Sequence, residues 1–294
     1  MNYYNEIKNE ILNNEITKKI KDYSKNKSDL TTYYNVGKLL SEAGKHYGEG
    51  IIKEYSKKLS KELNKNYSVS TLRYMRQFYE SGIHQTVSGE LTWSHYIELL
   101  PLTNSGEIIY YSDLIIKNNL SVRELRKRIK NKEYERLDEQ TKLKLINDEK
   151  LEVQDTIKNP IIIKSNVNYE VISEKVLQKM ILEDIPAFLK ELGNSFCFIS
   201  NEYKIKIGNN YNYIDLLLYN YEFNCFVVVE LKVTELKKEH IGQIEVYMNY
   251  IDKNLSKPTQ DKTIGIILCK KDNKFIMEYC SDERIHIREY NLIK

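Results

Sequence analysis

The chain is predicted to fold as two domains, an all-helical N-terminal domain followed by an αβ domain. Three observations carry this. Its 294 residues exceed one ordinary small domain. From Tyr3 to about Arg136 apolar residues recur at three and four, the helical period. Beyond Asn159 that period gives way to a helix, short apolar or alternating runs, a second helix and further runs.

In the first half, Ile51, Tyr55, Leu59 and Leu63 make one helical stripe. Ser70 is expected to cap a helix with Leu72, Met75 and Tyr79 on one side and Arg73 and Arg76 on another. Gly82–Gly89 reads as a loop. Ser121 and Glu124 form an S-x-x-E capping box ahead of Leu125 and Ile129. Residues 137–158 are charged and read as a linker. The expected domains are therefore 1–136 and 159–294. In the second half a helix is expected over about Val171–Leu192, interrupted by Pro186 and ended by Gly193. Strands are expected at about Phe196–Ile207, Tyr211–Tyr219, Cys225–Val233, Thr263–Lys270 and Phe275–Tyr279, with a helix at about Lys238–Asp252. No internal repeat is evident.

An apolar fraction of 41% and a charged fraction of 30% are those of a soluble globular protein. No apolar run approaches the ~18 residues of a membrane span, and Met1–Glu6 lacks a signal pattern. A cytoplasmic location without membrane contact is expected. Cys197, Cys225, Cys269 and Cys280 form no C-x-x-C pair and are expected as reduced core residues. The five histidines give no zinc spacing. Net charge is +3, unevenly distributed: residues 1–150 hold 26 Lys and Arg against 21 acids, and residues 151–294 hold 19 against 21. The basic excess lies in the first half.

Two runs carry the chemistry: Tyr213-Ile214-Asp215-Leu216-Leu217-Leu218-Tyr219 and Val227-Val228-Val229-Glu230-Leu231-Lys232. Each is apolar enough for a central strand and holds one acid. A buried carboxylate is costly unless paired or metal-bound. The short connection Asn220–Asn224 implies a hairpin, and a turn centred between Glu222 and Phe223 sets Asp215 directly opposite Glu230. Lys232, two residues after Glu230, projects from the same face. Two facing acids repel unless a divalent cation lies between them. Asp215 and Glu230 are thus candidate ligands for Mg²⁺ or Mn²⁺, with the Leu231 carbonyl as a further ligand and Lys232 as the group that orients water or meets charge in the transition state. The competing reading is a solvated sheet face with ordinary surface acids. Gln243 and Tyr247 lie one helical turn apart, so Gln243 can join the site or stand as an exposed polar residue. Glu174, at a helix start, is a third candidate carboxylate or simply an acid favoured by the helix dipole.

With these residues in view, the chain is similar to the YhcG-type family of PD-(D/E)XK nucleases. The resemblance runs through Tyr47-Gly48, Leu72-Arg73-Tyr74-Met75-Arg76, Trp93-Ser94-His95-Tyr96 and Ser121-Val122-Arg123-Glu124-Leu125 in the first half. In the second it runs through Phe188-Leu189-Lys190-Glu191-Leu192-Gly193, Tyr213-Ile214-Asp215-Leu216-Leu217, Glu230-Leu231-Lys232, Gly242-Gln243 with Tyr247, and Gly265-Ile266-Ile267-Leu268-Cys269. It implies a restriction-endonuclease-like core, divalent-metal dependence and DNA as substrate. It also implies roles for Asp215, Glu230, Lys232 and Gln243, with Glu174 as the helix acid. The chain departs from the family pattern at Gln178, where a second acid often follows, at Pro186, and at Glu202, where glutamine is usual.

The expected function is metal-dependent DNA hydrolysis in DNA processing or defence. The alternative is a DNA- or protein-binding accessory factor with an idle core. In the N-terminal domain Arg73, Arg76, Arg123, Arg126, Arg128 and Lys130 are candidate DNA contacts. Solvated helix faces or a protein-docking surface compete with that reading, and self-association is left open. Trp93 and Tyr96 are expected in the core or at an interface.

Overall fold

A computed structural model describes residues 2–20, 25–83, 91–165, 172–273, 276 and 282–293. The chain divides into two units, Met1–Tyr134 and Glu135–Lys294.

The first unit is helical among its described residues: α1 (Tyr3–Ile20), α2 (Lys25–Tyr47), α3 (Ile51–Glu62), α4 (Val69–Glu80), α5 (Trp93–Leu99), α6 (Ser105–Asn118) and α7 (Val122–Lys130). Each of the first four turns a three- and four-spaced stripe into one core: Ile7 and Ile11, Val36, Leu40 and Ala43, Ile52, Tyr55 and Leu59, Leu72 and Met75. The α3 stripe is centred on Ile52, with Ile51 and Leu63 at its margin. The α4 cap is Ser68, not Ser70. The Ser68 hydroxyl accepts from Thr71 N at 3.1 Å, the reach to the third helical amide, while Ser70 already lies within the helix. The α7 capping box forms as expected, with Ser121 and Glu124 satisfying each other's amides. A Cβ on Gly37 would overlap the Met75 carbonyl, so α2 and α4 cross in backbone contact. Phe78 lies against Trp93 and Tyr96 edge to face, which puts both rings in packing roles. The expected loop at Gly82–Gly89 lies mostly outside the described residues.

The stretch 137–158, expected as a linker, is a packed part of the second unit. It carries α8 (Glu139–Ile146) and a 3₁₀ turn at Val153–Thr156. Part of its charge is paired within it: Asp155 accepts from Lys144 Nζ, Thr141 Oγ1 and Glu152 N, each within 2.8 Å. Val153 and Ile157 enter the core.

The second unit is built on a six-stranded sheet of order β1-β6-β5-β4-β3-β2. Its strands are β1 (Ile161–Lys164), β2 (Phe196–Ile207), β3 (Asn210–Asn220), β4 (Cys225–Leu231), β5 (Asp261–Cys269) and β6 (Ile285–Ile293). β2, β3 and β4 are antiparallel; β4, β5, β6 and β1 are parallel. Helices α9 (Glu174–Glu183) and α10 (Ile185–Leu192) supply Leu177, Ile181, Phe188 and Leu192 to a core with Leu216, Leu218, Val227 and Val229. Helix α11 (Lys238–Asn254) supplies Ile244, Tyr247, Met248 and Ile251 to a core with Leu217, Val228 and Ile267. Alternation along β3 and β4 thus feeds two apolar layers, one on each side of the sheet.

The single helix expected up to Leu192 is two. Asp184 leaves the helical conformation and caps α10 by accepting from Ala187 N, with Pro186 in the first turn, where proline is tolerated. Val171 and most of the strand expected at Phe275–Tyr279 lie outside the described residues, as does Cys280. Cys225 and Cys269 are buried thiols, but Cys197 is exposed on β2, the outermost strand. β1 and β6 were not expected. β1 has only four residues, and β6 hides its alternation behind Arg288. Arg288 is buried because the carbonyls of Gln154, Ile157 and Ile287 receive its guanidinium, with Asp138 at 3.3 Å.

Candidate active site

The β3–β4 hairpin pairs Leu216 with Val229 and Asn220 with Cys225. One step beyond Leu216 and Val229 the same register sets Asp215 against Glu230. The neighbouring register, Asn201 with Leu216 and Tyr203 with Ile214, sets Glu202 on the other side of Asp215. Three acids therefore follow one another across β2, β3 and β4. A bulge between Phe198 and Ser200 and a left-handed backbone at Glu202 (φ 46°) mark the same place in β2.

This is not a solvated face. Glu230 is 2% exposed, and its Oε1 has no hydrogen-bond partner. Burial, then Asp215, pushes its carboxyl up to about 8, against the pull of Lys232. Asp215 is half-buried and is also raised, by burial first, with Leu231 N and Lys232 opposing. Asp215 is held from two directions: its Oδ2 accepts from Leu231 N at 2.8 Å, and its carbonyl accepts from Gln178 Nε2 at 3.1 Å. Leu231 thus enters the site through its amide.

Lys232 follows Glu230 at the end of β4, where its own amide donates to Leu268 O at 2.7 Å and locks it to β5. It is buried, with Nζ 3.5 Å from Glu230 Oε2 and 3.7 Å from Glu174 Oε2. Glu174, at the exposed start of α9, therefore reaches the site through the lysine. Gln243 and Tyr247 share a face of α11, and Gln243 Nε2 donates to Tyr247 Oη at 3.1 Å. Tyr247 is buried and its hydroxyl is raised, mainly by burial, with Glu230 among the contributing charges.

Two neighbours escaped the sequence reading. Gln178 was noted only for lacking a charge; the structure buries it one turn after Glu174, and nothing in the sequence marks that role. His240, in the first turn of α11, is held low by burial and then by Lys232, and gave no local signal.

Among the described residues, no group of three or more His, Cys, Asp or Glu side chains stands together as a metal cage. Two buried carboxylates, one with an unpartnered oxygen, form a hard-oxygen donor set. A small divalent cation completed by water and phosphate is commonly held by one or two carboxylates, so the residues present fit one.

Comparison with known proteins bears on the two regions of the chain separately. Residues 154–293 match the family model of the YhcG PDDEXK nuclease domain, and residues 6–136 match that of the DUF1016 N-terminal domain. The chain thus joins a region matching the YhcG PDDEXK nuclease domain to one matching the DUF1016 N-terminal domain. Over 283 residues it is 27% identical to "Putative nuclease YhcG" of Escherichia coli (strain K12), covering 81% of this chain and 76% of that protein. Among solved structures, a repair endonuclease from Pyrococcus abyssi is 18% identical with a TM-score of 0.30, covering 42% of this chain and 49% of the other. An EndoMS–dsDNA2 complex is also 18% identical, with a TM-score of 0.29 and coverage of 44% and 48%. The chain thus spans about half the length of these solved structures.

The six basic residues of the N-terminal unit do not form one free set. Arg76 holds the Glu49 carboxylate at 2.7 Å, with Glu80 at 3.6 Å; Arg126 grips Glu98 with two nitrogens; Arg128 is half-buried, with the buried Glu133 at 3.1 Å. Glu49 and Glu98 lie 27 and 28 residues from their arginines, out of reach of a local charge count, whereas Glu80 and Glu133 lie close by in the chain. Arg73, Arg123 and Lys130 are exposed. No helix among the described residues is long and apolar enough to cross a membrane.

Proposed function

We propose that the chain is a divalent-metal-dependent endonuclease that hydrolyses phosphodiester bonds in DNA. The observation that carries this is the meeting of Asp215 with a nearly fully buried Glu230 whose Oε1 lacks a partner, with Lys232 beside them. An idle core has no reason to retain a carboxylate pushed up to about 8.

Asp215 and Glu230 would hold Mg²⁺ or Mn²⁺, with the Leu231 carbonyl a further candidate and Glu174 at the rim. The bound ion supplies polarisation of the phosphate and a more acidic water. Leu231 N and Gln178 fix Asp215 before substrate arrives, so little reorganisation is left for the reaction. Lys232 provides a buried positive charge where the phosphoryl oxygens gain negative charge. Gln243 and Tyr247 give a donor pair on the α11 side for orienting water or the substrate backbone.

The test is incubation of the full chain with labelled linear, nicked and single-stranded DNA in Mg²⁺, Mn²⁺ or EDTA, beside Asp215→Asn. Cleavage that requires the ion and disappears in the variant is expected. Cleavage that persists in EDTA or in Asp215→Asn refutes the proposal. DNA binding without cleavage in every metal supports the accessory-factor alternative.

A further inference from the structure

β2 and β3 continue well past the last pair that β3 makes with β4. Their outer part, from Tyr203 with Ile214 to Ile207 with Asn210, is a two-stranded ribbon closed by Gly208 (φ 61°) and Asn209. Its two sides differ. Ile205 and Ile214 are buried, with Tyr203 packed beside them, in the core that α11 shares. The other side alternates Lys204 opposite Tyr213 and Lys206 opposite Tyr211. All four residues are exposed, the tyrosines by 52% and 56%. Lys204 Nζ stands 3.8 Å from the Tyr211 ring centroid. Among the described residues neither lysine pairs with a carboxylate.

Folding alone does not require this side. Two large rings, and two amines that meet only the Tyr211 ring, are left in water near the candidate active site. Tyr213 and Tyr211 precede Asp215 by two and four residues along β3, ~7 and ~14 Å at ~3.4 Å per residue. The amines suit phosphates. The ring faces suit bases, but only bases not already stacked in a duplex.

We propose that this ribbon binds a segment of unpaired DNA strand flanking the phosphate at Asp215 and Glu230, with Tyr211 and Tyr213 stacking on bases and Lys204 and Lys206 contacting the backbone. The charge complementarity of the lysine–tyrosine side and its continuity with Asp215 on one strand select this occupant. The proposal rests on the nuclease reading above and adds a substrate class to it: DNA with a single-stranded portion next to the scissile bond. On binding, Lys204 moves from the Tyr211 face to a phosphate, and a base takes its place.

The experiment measures binding in EDTA, so that loss of binding and loss of cleavage are read separately. Fluorescence anisotropy is recorded for the full chain with a labelled single strand, its blunt duplex and the same duplex with a single-stranded tail. The variants are Tyr211→Ala with Tyr213→Ala, the same pair to Phe, and Lys204→Gln with Lys206→Gln. Their melting curves verify folding. The Ala pair is expected to weaken single-strand and tailed-duplex binding by roughly tenfold per ring, with blunt duplex changed by less than about twofold. The Phe pair keeps the rings and should bind as the wild type does. The Lys pair should flatten the salt dependence of single-strand binding by about 1.4 in slope, ~0.7 per phosphate contact. Unchanged single-strand affinity in the Ala pair, or equal losses on blunt duplex, overturns the proposal. If the Ala pair fails to fold, an unchanged salt slope in the Lys pair overturns it. Absence of ion-dependent cleavage alongside the expected binding changes would reject the nuclease reading and leave the ribbon as a DNA-binding surface.

Discussion

Replacing Glu230 with glutamine should make the metal-free protein more resistant to heat at alkaline pH while abolishing cleavage. Glu230 has a folded pKa of about 8 against an ordinary 4.5, because it is buried and faces Asp215. A pKa raised by folding favours the neutral acid in the fold. That stabilisation is complete below the unfolded value and drains away as pH rises from 4.5 to about 8. The gap corresponds to on the order of 3–5 kcal/mol at ~1.4 kcal/mol per pH unit. Glutamine keeps the shape without the titration. For a unit of this size, roughly 2–4 °C per kcal/mol gives a wild-type fall in melting temperature of ~10 °C beyond that of the variant. The assay is thermal unfolding in EDTA at several pH values from about 5 to about 9, for wild type and Glu230→Gln. Adding Mg²⁺ should restore much of the wild-type loss, since an ion that binds only the folded chain stabilises it, and should do nothing for the variant. Parallel pH profiles for the two proteins would show that Glu230 is not held in the buried, acid-facing setting described.

Five further outcomes are expected. Asp215→Asn should remove cleavage with the melting temperature kept or raised; full turnover would reject a mechanism based on two carboxylates. Lys232→Ala should cripple turnover while ion binding, followed by calorimetry, persists; loss of ion binding would make the lysine a structural part of the ion site. Gln178→Leu leaves the Asp215 carbonyl without its donor, costing about 1–3 kcal/mol and lowering turnover through a displaced Asp215; unaltered stability and turnover would deny it that role. In the N-terminal unit Arg128→Gln removes an ion pair to the buried Glu133 and should lower the melting temperature, whereas Arg126→Gln, at an exposed pair, should leave it nearly unchanged. Neutralising Arg73, Arg123 and Lys130 together should weaken DNA binding and reduce its salt slope by ~0.9 per contact on duplex; an unmoved slope transfers this unit to protein docking.

The parts of the fold legible from sequence were those governed by short-range pattern. Periodicity located α3 and α11, alternation located β2, β3 and β4, and the Asn220–Asn224 turn set the hairpin register that joins Asp215 to Glu230. What escaped depended on partners distant in the chain. β6 was obscured by Arg288, whose burial makes sense only once the carbonyls of Gln154 and Ile157 surround it. The stretch 137–158 looked solvated because the pairing of Asp155 with Lys144 is tertiary. The arginines of α4 and α7 looked free because Glu49 and Glu98 lie on other elements. In the site itself, chemistry-bearing residue types stood out, but Gln178 did not, since an amide holding a carbonyl leaves no mark on composition or spacing.

Gly265 has a consequence for turnover. A Cβ there would stand 2.5 Å from Met248 Sδ and 2.8 Å from Ile244 Cδ1, so the absent side chain lets α11 rest directly on β5. Residue 265 is therefore a shim: its thickness sets the depth of a helix that carries Gln243 and Tyr247 on the same rigid body as Met248. A shim one methyl thicker would have to move Met248 and Ile244, and with them the helix that carries Gln243 and Tyr247 of the proposed site.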